Sequence, residues 1–196
     1  KLYQKDPKDV VVVGHPGLQE MFKTCKIGPR PKKNTVGYFT QINVDTTIVM
    51  DWLMSSLNEN DKLIIKNHPS DDTDYSSYTN KFKGEYEVST KKPEELFDEI
   101  SVCLTHTSVV GLKATLLGIR TINVNPKEHM KEMYDLCEGY PLSVAGLSIE
   151  VNSEEELKKA LRTDYTISKD KVITHFSLDQ AEENFIKAVT AMLSKE

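Results

Sequence analysis

Apolar positions in this chain fall into two alternating kinds of segment: short continuous runs, and stretches with a spacing of three and four. Val10 to Val13 is a β-branched run that stops at Gly14, His15, Pro16 and Gly17, and it predicts a strand. Leu18, Met21 and Phe22 then share one face of a short helix. Lys26 to Asn34 carries Gly28, Pro29, Pro31 and four basic residues, which predicts a linker.

From Thr35 the alternation becomes regular. Thr35 to Phe39 reads as a strand, and Asp45 as the cap of a helix through Ile48, Val49, Trp52, Leu53 and Leu57. Lys62 to Lys66 is a buried-type strand ended by Asn67, His68 and Pro69, and Ser70 to Asn80 is a polar, turn-rich stretch. Tyr86 to Val88 predicts a strand, and Pro93 starts a helix through Leu96, Phe97 and Ile100. Ser101 to Leu104 is the next strand, Ser108 to Leu117 a buried helix stopped by Gly118, and Arg120 to Val124 a further strand. After a looser region, Asn125 to Gly146, Leu147 to Val151 predicts the last strand. Ser153 and Glu156 form a capping box for a helix through Leu157, Ala160 and Leu161. Ser177 to Gln180 opens a final helix striped by Leu178, Ala181, Phe185, Val189 and Met192.

Strands alternating with helices predict an α/β fold, a Rossmann-like doubly wound parallel sheet. Such sheets bind ligands beyond the carboxyl ends of their strands, where strand order reverses. Counting from Thr35, strands one and four flank that reversal. Thr40 and Gln41 then line one side of the crevice, and Thr105, His106, Thr107 and Ser108 the other, with His68 at the end of strand two.

The chemistry expected there is anion binding. Thr107 and Ser108 precede a helix whose unpaired N–H groups attract phosphate, and Gly111 in its first turn permits close approach. The bland alternative is that a Ser or Thr simply caps the helix. His68, stiffened by Pro69, can donate to a phosphate or leaving group, and Lys66 and Asn67 add donors. His106 either faces the crevice or packs beneath it. Asp71, Asp72 and Asp74 read as a solvated loop, because hard-cation sites need spaced oxygen ligands and a glycine turn. Dinucleotide-binding, Walker A and nucleophile-elbow signatures are all absent.

The stretch from Ser101 through Thr105, His106, Thr107, Ser108 and Gly111 to Gly118, followed by Arg120 to Val124, resembles the donor-binding half of a GT-B glycosyltransferase. Asn67, His68 and Pro69 resemble the His-Pro motif of bacterial sialyltransferases, Kdo-type capsule transferases and related polymerases, and Thr107 with Ser108 resembles their Ser motif. Gly14 to Gln19 is similar to the segment where such chains cross between domains. The resemblance covers about residues 10 to 125. It implies a nucleotide-activated sugar as donor and a glycan as acceptor, with CMP- or CDP-linked donors favoured. It assigns a catalytic role to His68 at the donor phosphate. Pro69, Thr107, Ser108, Gly111, Thr40, Gln41 and His106 become nucleotide-sugar-binding residues. It implies neither a cofactor nor a metal ion. It also implies three parts: 1–33 from a preceding domain and linker, 34–165 as the nucleotide-sugar-binding domain, and 166–196 as a helix returning toward an N-terminal domain. Two departures stand out. Lys113 occupies the place where many GT-B enzymes carry a ribose-binding glutamate, and the acidic base of the sialyltransferase-like families belongs to the first domain. A UDP-N-acetylglucosamine 2-epimerase-like enzyme and a non-catalytic nucleotide- or partner-binding module are the alternatives.

Composition narrows the partners. The 196 residues include 25 Lys plus Arg and 30 Asp plus Glu, a net charge of −5 that argues against a general nucleic-acid binder. No apolar run approaches the ~20 residues that span a bilayer, so membrane association is expected only through a full-length protein. Cys25, Cys103 and Cys137 form neither a disulfide framework nor a zinc pattern. The expected compartment is the reducing cytoplasm. The chain starts at Lys1 without a signal-peptide pattern, and is expected to be a segment of a longer protein.

Overall fold

The computed structural model describes residues 10–24, 34–42, 44–78, 80–126, 139–165 and 167–194. Most of the expected linker, Cys25, His129 and Cys137 lie outside the described residues. The chain forms two compact units, 27–167 and 1–26 with 168–196.

The larger unit is a six-stranded, all-parallel sheet in the order β3-β2-β1-β4-β5-β6. Its strands are β1 (Thr35–Phe39), β2 (Lys62–Lys66), β3 (Glu85–Val88), β4 (Val102–Thr105), β5 (Arg120–Val124) and β6 (Ile149–Val151). Successive strand residues point to opposite faces, and both faces are covered, so the central strands are continuous apolar runs. Val36, Tyr38, Leu63, Ile65, Val102 and Leu104 point to one face. There they meet Val49, Met50 and Leu53 of α2 (Thr46–Ser56) and Leu157 and Leu161 of a helix at Glu154–Arg162. Phe39, Ile64 and Cys103 point to the other, against Leu96, Phe97, Ile100, Ala114 and Ile119. Gly37 shares this second face, where a Cβ would lie 2.9 Å from Ile100 Cγ2. Only glycine lets Ile100 pack that close to β1.

The helices begin where their caps direct. The Asp45 carboxylate accepts from the Thr47 N–H at 2.9 Å at the start of α2. The helix expected from Pro93 through Ile100 is shorter, α3 (Pro93–Leu96), yet Leu96, Phe97 and Ile100 are all buried. After α4 (Val109–Leu116) and α5 (Pro141–Val144) comes α6 (Glu154–Arg162). The Ser153 hydroxyl caps α6 by accepting from the Glu156 N–H at 3.3 Å, while the Glu156 carboxylate accepts from the Asn152 N–H at 2.6 Å.

The amino-terminal end of the sheet is closed by one buried acid. Asp61, immediately before β2, accepts from both terminal nitrogens of Arg162 at 3.2 and 2.8 Å, from Asn34 at 3.1 Å and from the Asn58 N–H at 2.9 Å. Burial works to raise this carboxyl, but the hydrogen bonds from Arg162, Asn58 and Asn34 outweigh it and hold it below the ordinary carboxylate value.

The smaller unit contains α1 (Pro16–Thr24), α7 (Lys169–Phe176) and α8 (Ala181–Leu193). α1 packs on α8, and the Gln19 side-chain carbonyl accepts from the Glu182 N–H at 2.9 Å. Gly14 has φ +80, and a Cβ there would meet Ala181 Cβ at 2.8 Å. Two expectations are corrected. Val10 to Val13 is not a strand, and Val10, Val11 and Val12 are exposed, because β-branched residues form a strand only where a sheet edge takes up their backbone groups. The final stripe is buried only at Leu178 and Ala181, whereas Phe185, Val189 and Met192 are exposed. The sequence reading also missed α7, whose Ser168 cap accepts from the Lys171 N–H at 3.4 Å.

Candidate functional site

Strand order reverses between β1 and β4, which are parallel neighbours paired Val36 to Val102 and Tyr38 to Leu104. The chain leaves β1 at Thr40 and Gln41, β2 at Asn67 and His68, and β4 at His106, Thr107 and Ser108. The carboxyl ends of three adjacent strands therefore carry every residue expected at the crevice, apart from Pro69 just beyond His68 and Gly111 inside α4.

His68 is held from two sides. Its backbone N–H donates to Thr40 Oγ1 at 2.9 Å, and its ring Nδ1 accepts from the Ser70 N–H at 3.1 Å. A neutral ring that accepts at Nδ1 carries its proton on Nε2, so the group left to meet a ligand is an Nε2–H donor. Pro69 is exposed beside it. Thr40 is itself buried, and its hydroxyl donates to Asp71 Oδ2 at 2.5 Å. Asp71 also accepts from the Tyr75 hydroxyl at 2.9 Å and from the Thr73 N–H at 3.1 Å. Asp71 was expected in a solvated loop. Its Oδ1 bond to the Thr73 N–H is an Asx turn that the Asp-x-Thr spacing signals, but the bond from Thr40 spans 31 residues and leaves no local trace.

Gln41 and Thr107 latch the two sides of the reversal together. The Gln41 carbonyl accepts from the Thr107 N–H at 3.1 Å, and its amide donates to the Thr107 hydroxyl at 3.0 Å. Beside this latch Ser108 caps α4, accepting from the Val110 N–H at 3.2 Å. Acting as acceptor there, the Ser108 hydroxyl keeps its own O–H to donate.

His106 is completely buried, so of its two expected placements it takes the packed one, and it does not line the crevice as the resemblance implied. Its ring packs edge-on to Tyr38, with Nε2 3.0 Å from the Tyr38 hydroxyl. The strand alternation signals this: Val102, Leu104 and His106 point to the face that also holds Tyr38. Gly111 has a packing role that the sequence did not show. A Cβ there would lie 2.8 Å from Thr105 Cγ2, so this glycine lets α4 sit down on β4. Gly111→Ala is expected to destabilise the protein by about 1–3 kcal/mol, the usual penalty for forcing atoms into a packed contact. A urea titration checks this, and an unchanged midpoint would remove the packing role.

An open cleft of about 620 Å³ is lined by Gln41, Ile42, Val44, Ser70, Asp71, Asp72 and Thr73, and Ser70 joins it to His68. That size suits a small organic ligand. Burial works to raise the Asp71 carboxyl, but hydrogen bonds from Thr40, Thr73 and Tyr75 hold it below the ordinary value. The Tyr75 hydroxyl is pushed up to about 12, chiefly by burial. Asp71 and Asp61 are thus both carboxyls lowered by folding. Their stabilising contribution is complete above the unfolded value and is lost as pH falls through the folded one. The urea midpoint is expected to hold from neutrality down to about pH 5 and to fall below it. A midpoint flat between about pH 5 and pH 3 would contradict this.

Among the described residues, no group of three or more His, Cys, Asp or Glu is placed to hold a metal ion. Cys103 is buried, which pushes its thiol well up and leaves it unreactive. Lys113 pairs with Glu94 at 2.5 Å. No helix among the described residues is long and apolar enough to cross a membrane.

No protein-family model matches this chain, and no curated protein matches it. Solved structures do. A candidate UDP-N-acetylglucosamine 2-epimerase from Listeria monocytogenes superposes with a TM-score of 0.53 at 11% identity, covering 100% of this chain and 56% of that one. The wall teichoic acid polymerase TagF, as a variant soaked with CDPG, superposes with a TM-score of 0.51 at 16% identity, covering 93% of this chain and 47% of that one. KpsC, a beta Kdo 2,7 transferase of Thermosulfurimonas dismutans, superposes at 0.49 with 16% identity, over 82% of this chain and 50% of that one. The chain spans about half the length of these proteins. The first two comparisons show a shared fold: the parallel sheet with helices on both faces is a Rossmann-like, GT-B-type half.

Proposed function

We propose that this chain is the donor-binding part of an inverting GT-B glycosyltransferase. On this reading it takes a sugar from a CMP- or CDP-linked donor for surface or capsular polysaccharide synthesis in the cytoplasm. The observation that carries the reading is that the carboxyl ends of the two strands flanking β1 carry an Nε2–H donor on His68, after β2, and the Ser108-capped N-terminus of α4, after β4. Both arrangements favour a nucleotide phosphate. The fold shared with a polymerase that was soaked with CDPG supports a cytidine nucleotide.

Displacement at the anomeric carbon breaks its bond to the donor phosphate and forms one to the acceptor hydroxyl oxygen. The acceptor proton passes to a base outside these residues. The electron pair leaves with the nucleotide phosphate, whose growing charge His68 Nε2–H, the Ser108 hydroxyl and the α4 N-terminus stabilise. Gln41, beside the cleft, faces the glycosyl part, and Thr107 holds Gln41 in place. No metal is needed for these roles. Any membrane contact belongs to parts of a longer protein, as does the N-terminal domain that would complete the site.

A UDP-sugar 2-epimerase is the second reading, favoured by the Listeria structure that covers the whole chain. Against it, the position of the ribose-binding glutamate holds Lys113, engaged by Glu94. A thermal-shift panel of CMP, CDP, UMP, UDP and GDP separates the readings. A ligand at ten times its Kd adds about 1.4 kcal/mol, which for a chain of this size raises Tm by roughly 3–6 °C. A cytidine-only shift is the expected result. A uridine preference would transfer the assignment to the epimerase class. No shift with any nucleotide would overturn both readings in favour of a non-catalytic module.

A further inference from the structure

The polar chain behind His68 is longer than helix capping or turn formation requires. Thr40 Oγ1 accepts from the His68 N–H at 2.9 Å, and donates to Asp71 Oδ2 at 2.5 Å. The Thr40 hydroxyl accepts the His68 N–H on a lone pair while its one proton goes to the Asp71 carboxylate, and that second bond fixes the hydroxyl's rotation. The same Oδ2 takes the Tyr75 hydroxyl at 2.9 Å. Asp71 returns to the turn through its own N–H, which donates to the His68 carbonyl at 2.8 Å. The Asn67 amide ties down the Asp71 and Thr73 carbonyls at 3.3 and 3.2 Å. The turn from 67 to 73 is thus closed on itself and fastened to the end of β1 through one hydroxyl.

The last bond of this frame is the one from the Ser70 N–H to His68 Nδ1 at 3.1 Å. It decides which ring nitrogen carries the proton. Without the frame, a neutral imidazole exchanges freely between its two N–H forms, and rotation about the side chain presents either nitrogen to the crevice.

We infer that Asp71, acting through the Thr40 hydroxyl, is a positioning residue that locks His68 in the Nε2–H tautomer with that proton directed to the ligand. This deepens the donor-phosphate role proposed for His68 and rests on it. It also reassigns Thr40 from ligand contact to the support of His68.

The test reads the tautomer directly, by two-bond ¹H–¹⁵N correlation of the histidine rings in the ¹⁵N-labelled 196-residue chain near pH 8, where an ordinary imidazole is neutral. The His68 signals are identified by their loss in His68→Gln. Wild type is expected to show the Nε2–H pattern, with Nδ1 unprotonated. Asp71→Asn and Thr40→Val, both close in shape to the native residue, are expected to shift it toward a mixture containing Nδ1–H, and to speed hydrogen exchange at the His68 amide. Thr40→Ser, which keeps the hydroxyl, is expected to restore the wild-type pattern. A simple loss of packing would not distinguish serine from valine in this way. Backbone amide spectra that stay native outside residues 40 and 66–75 confirm folding in each variant. An Nδ1–H pattern in wild type would overturn the inference, as would an unchanged His68 pattern in both folded Asp71→Asn and Thr40→Val. CDP is then titrated into wild type. Failure of CDP to bind removes the donor-site reading, while the tautomer result stands or falls independently.

Discussion

His68→Ala is expected to remove most of the thermal stabilisation that CDP confers on the wild-type protein. A hydrogen bond to a charged group contributes about 1.5–3 kcal/mol, so losing the Nε2–H to phosphate contact raises Kd by roughly 10- to 150-fold. At a CDP concentration ten times the wild-type Kd, the shift then falls from roughly 3–6 °C to about 2 °C or less. The variant is informative because His68 is half-buried and its ring makes one bond, to the Ser70 N–H. Its unliganded Tm is therefore expected to stay near that of wild type. Ser108→Ala is the weaker probe, since loss of its cap on α4 by itself destabilises by about 0.5–2 kcal/mol. Thermal shift and calorimetric titration give the two numbers. An undiminished CDP shift in a folded His68→Ala protein would remove His68 from the site.

Asp61→Ala is expected to be the most destabilising single change at the opposite end of the sheet. The Asp61 side chain is 4% exposed and receives Arg162, Asn34 and the Asn58 N–H. Truncation leaves those donors without their acceptor and releases the end of α6 from the turn before β2. Breaking a fully buried pair costs about 3–5 kcal/mol. The Arg162 side chain is 40% exposed and regains water, which lowers the expectation to about 2–3 kcal/mol. That corresponds to a fall in Tm of roughly 4–12 °C. Below the lowered Tm, CDP affinity is expected to be unchanged, because Asp61 lies at the strand ends opposite the crevice. A loss below about 0.5 kcal/mol would show that solvent already does the work of this carboxylate.

The two substitutions separate what a local reading of the chain can reach from what it cannot. The place of His68 at the end of β2 was legible because its signal is local: an apolar strand, an Asn-His-Pro stop and a polar turn, all within a dozen residues. Asp61 carried no local mark, since its partner Arg162 lies 101 residues away. The same contrast runs through the crevice. Ser108 was readable as a helix cap from its neighbours alone. The Gln41–Thr107 latch, 66 residues apart, exists only because β1 and β4 pair in one register.

The order of apolar and polar positions by itself determined the α/β class and the six strands to within one or two residues. It also determined the location of the switch point. Burial on both faces imposes continuous apolar runs, and a right-handed alternating βα chain has few ways to wind. Tertiary structure alone decided which partner each crevice residue meets. It turned Thr40 toward Asp71 and Gln41 toward Thr107, put His106 under the sheet end beside Tyr38, and set Gly111 against Thr105. It left Val10 to Val12 exposed despite their β propensity. The physical reason is that strand and helix periods specify the face on which a side chain lies. The partner it finds there is specified by the register and packing of segments far apart in the chain.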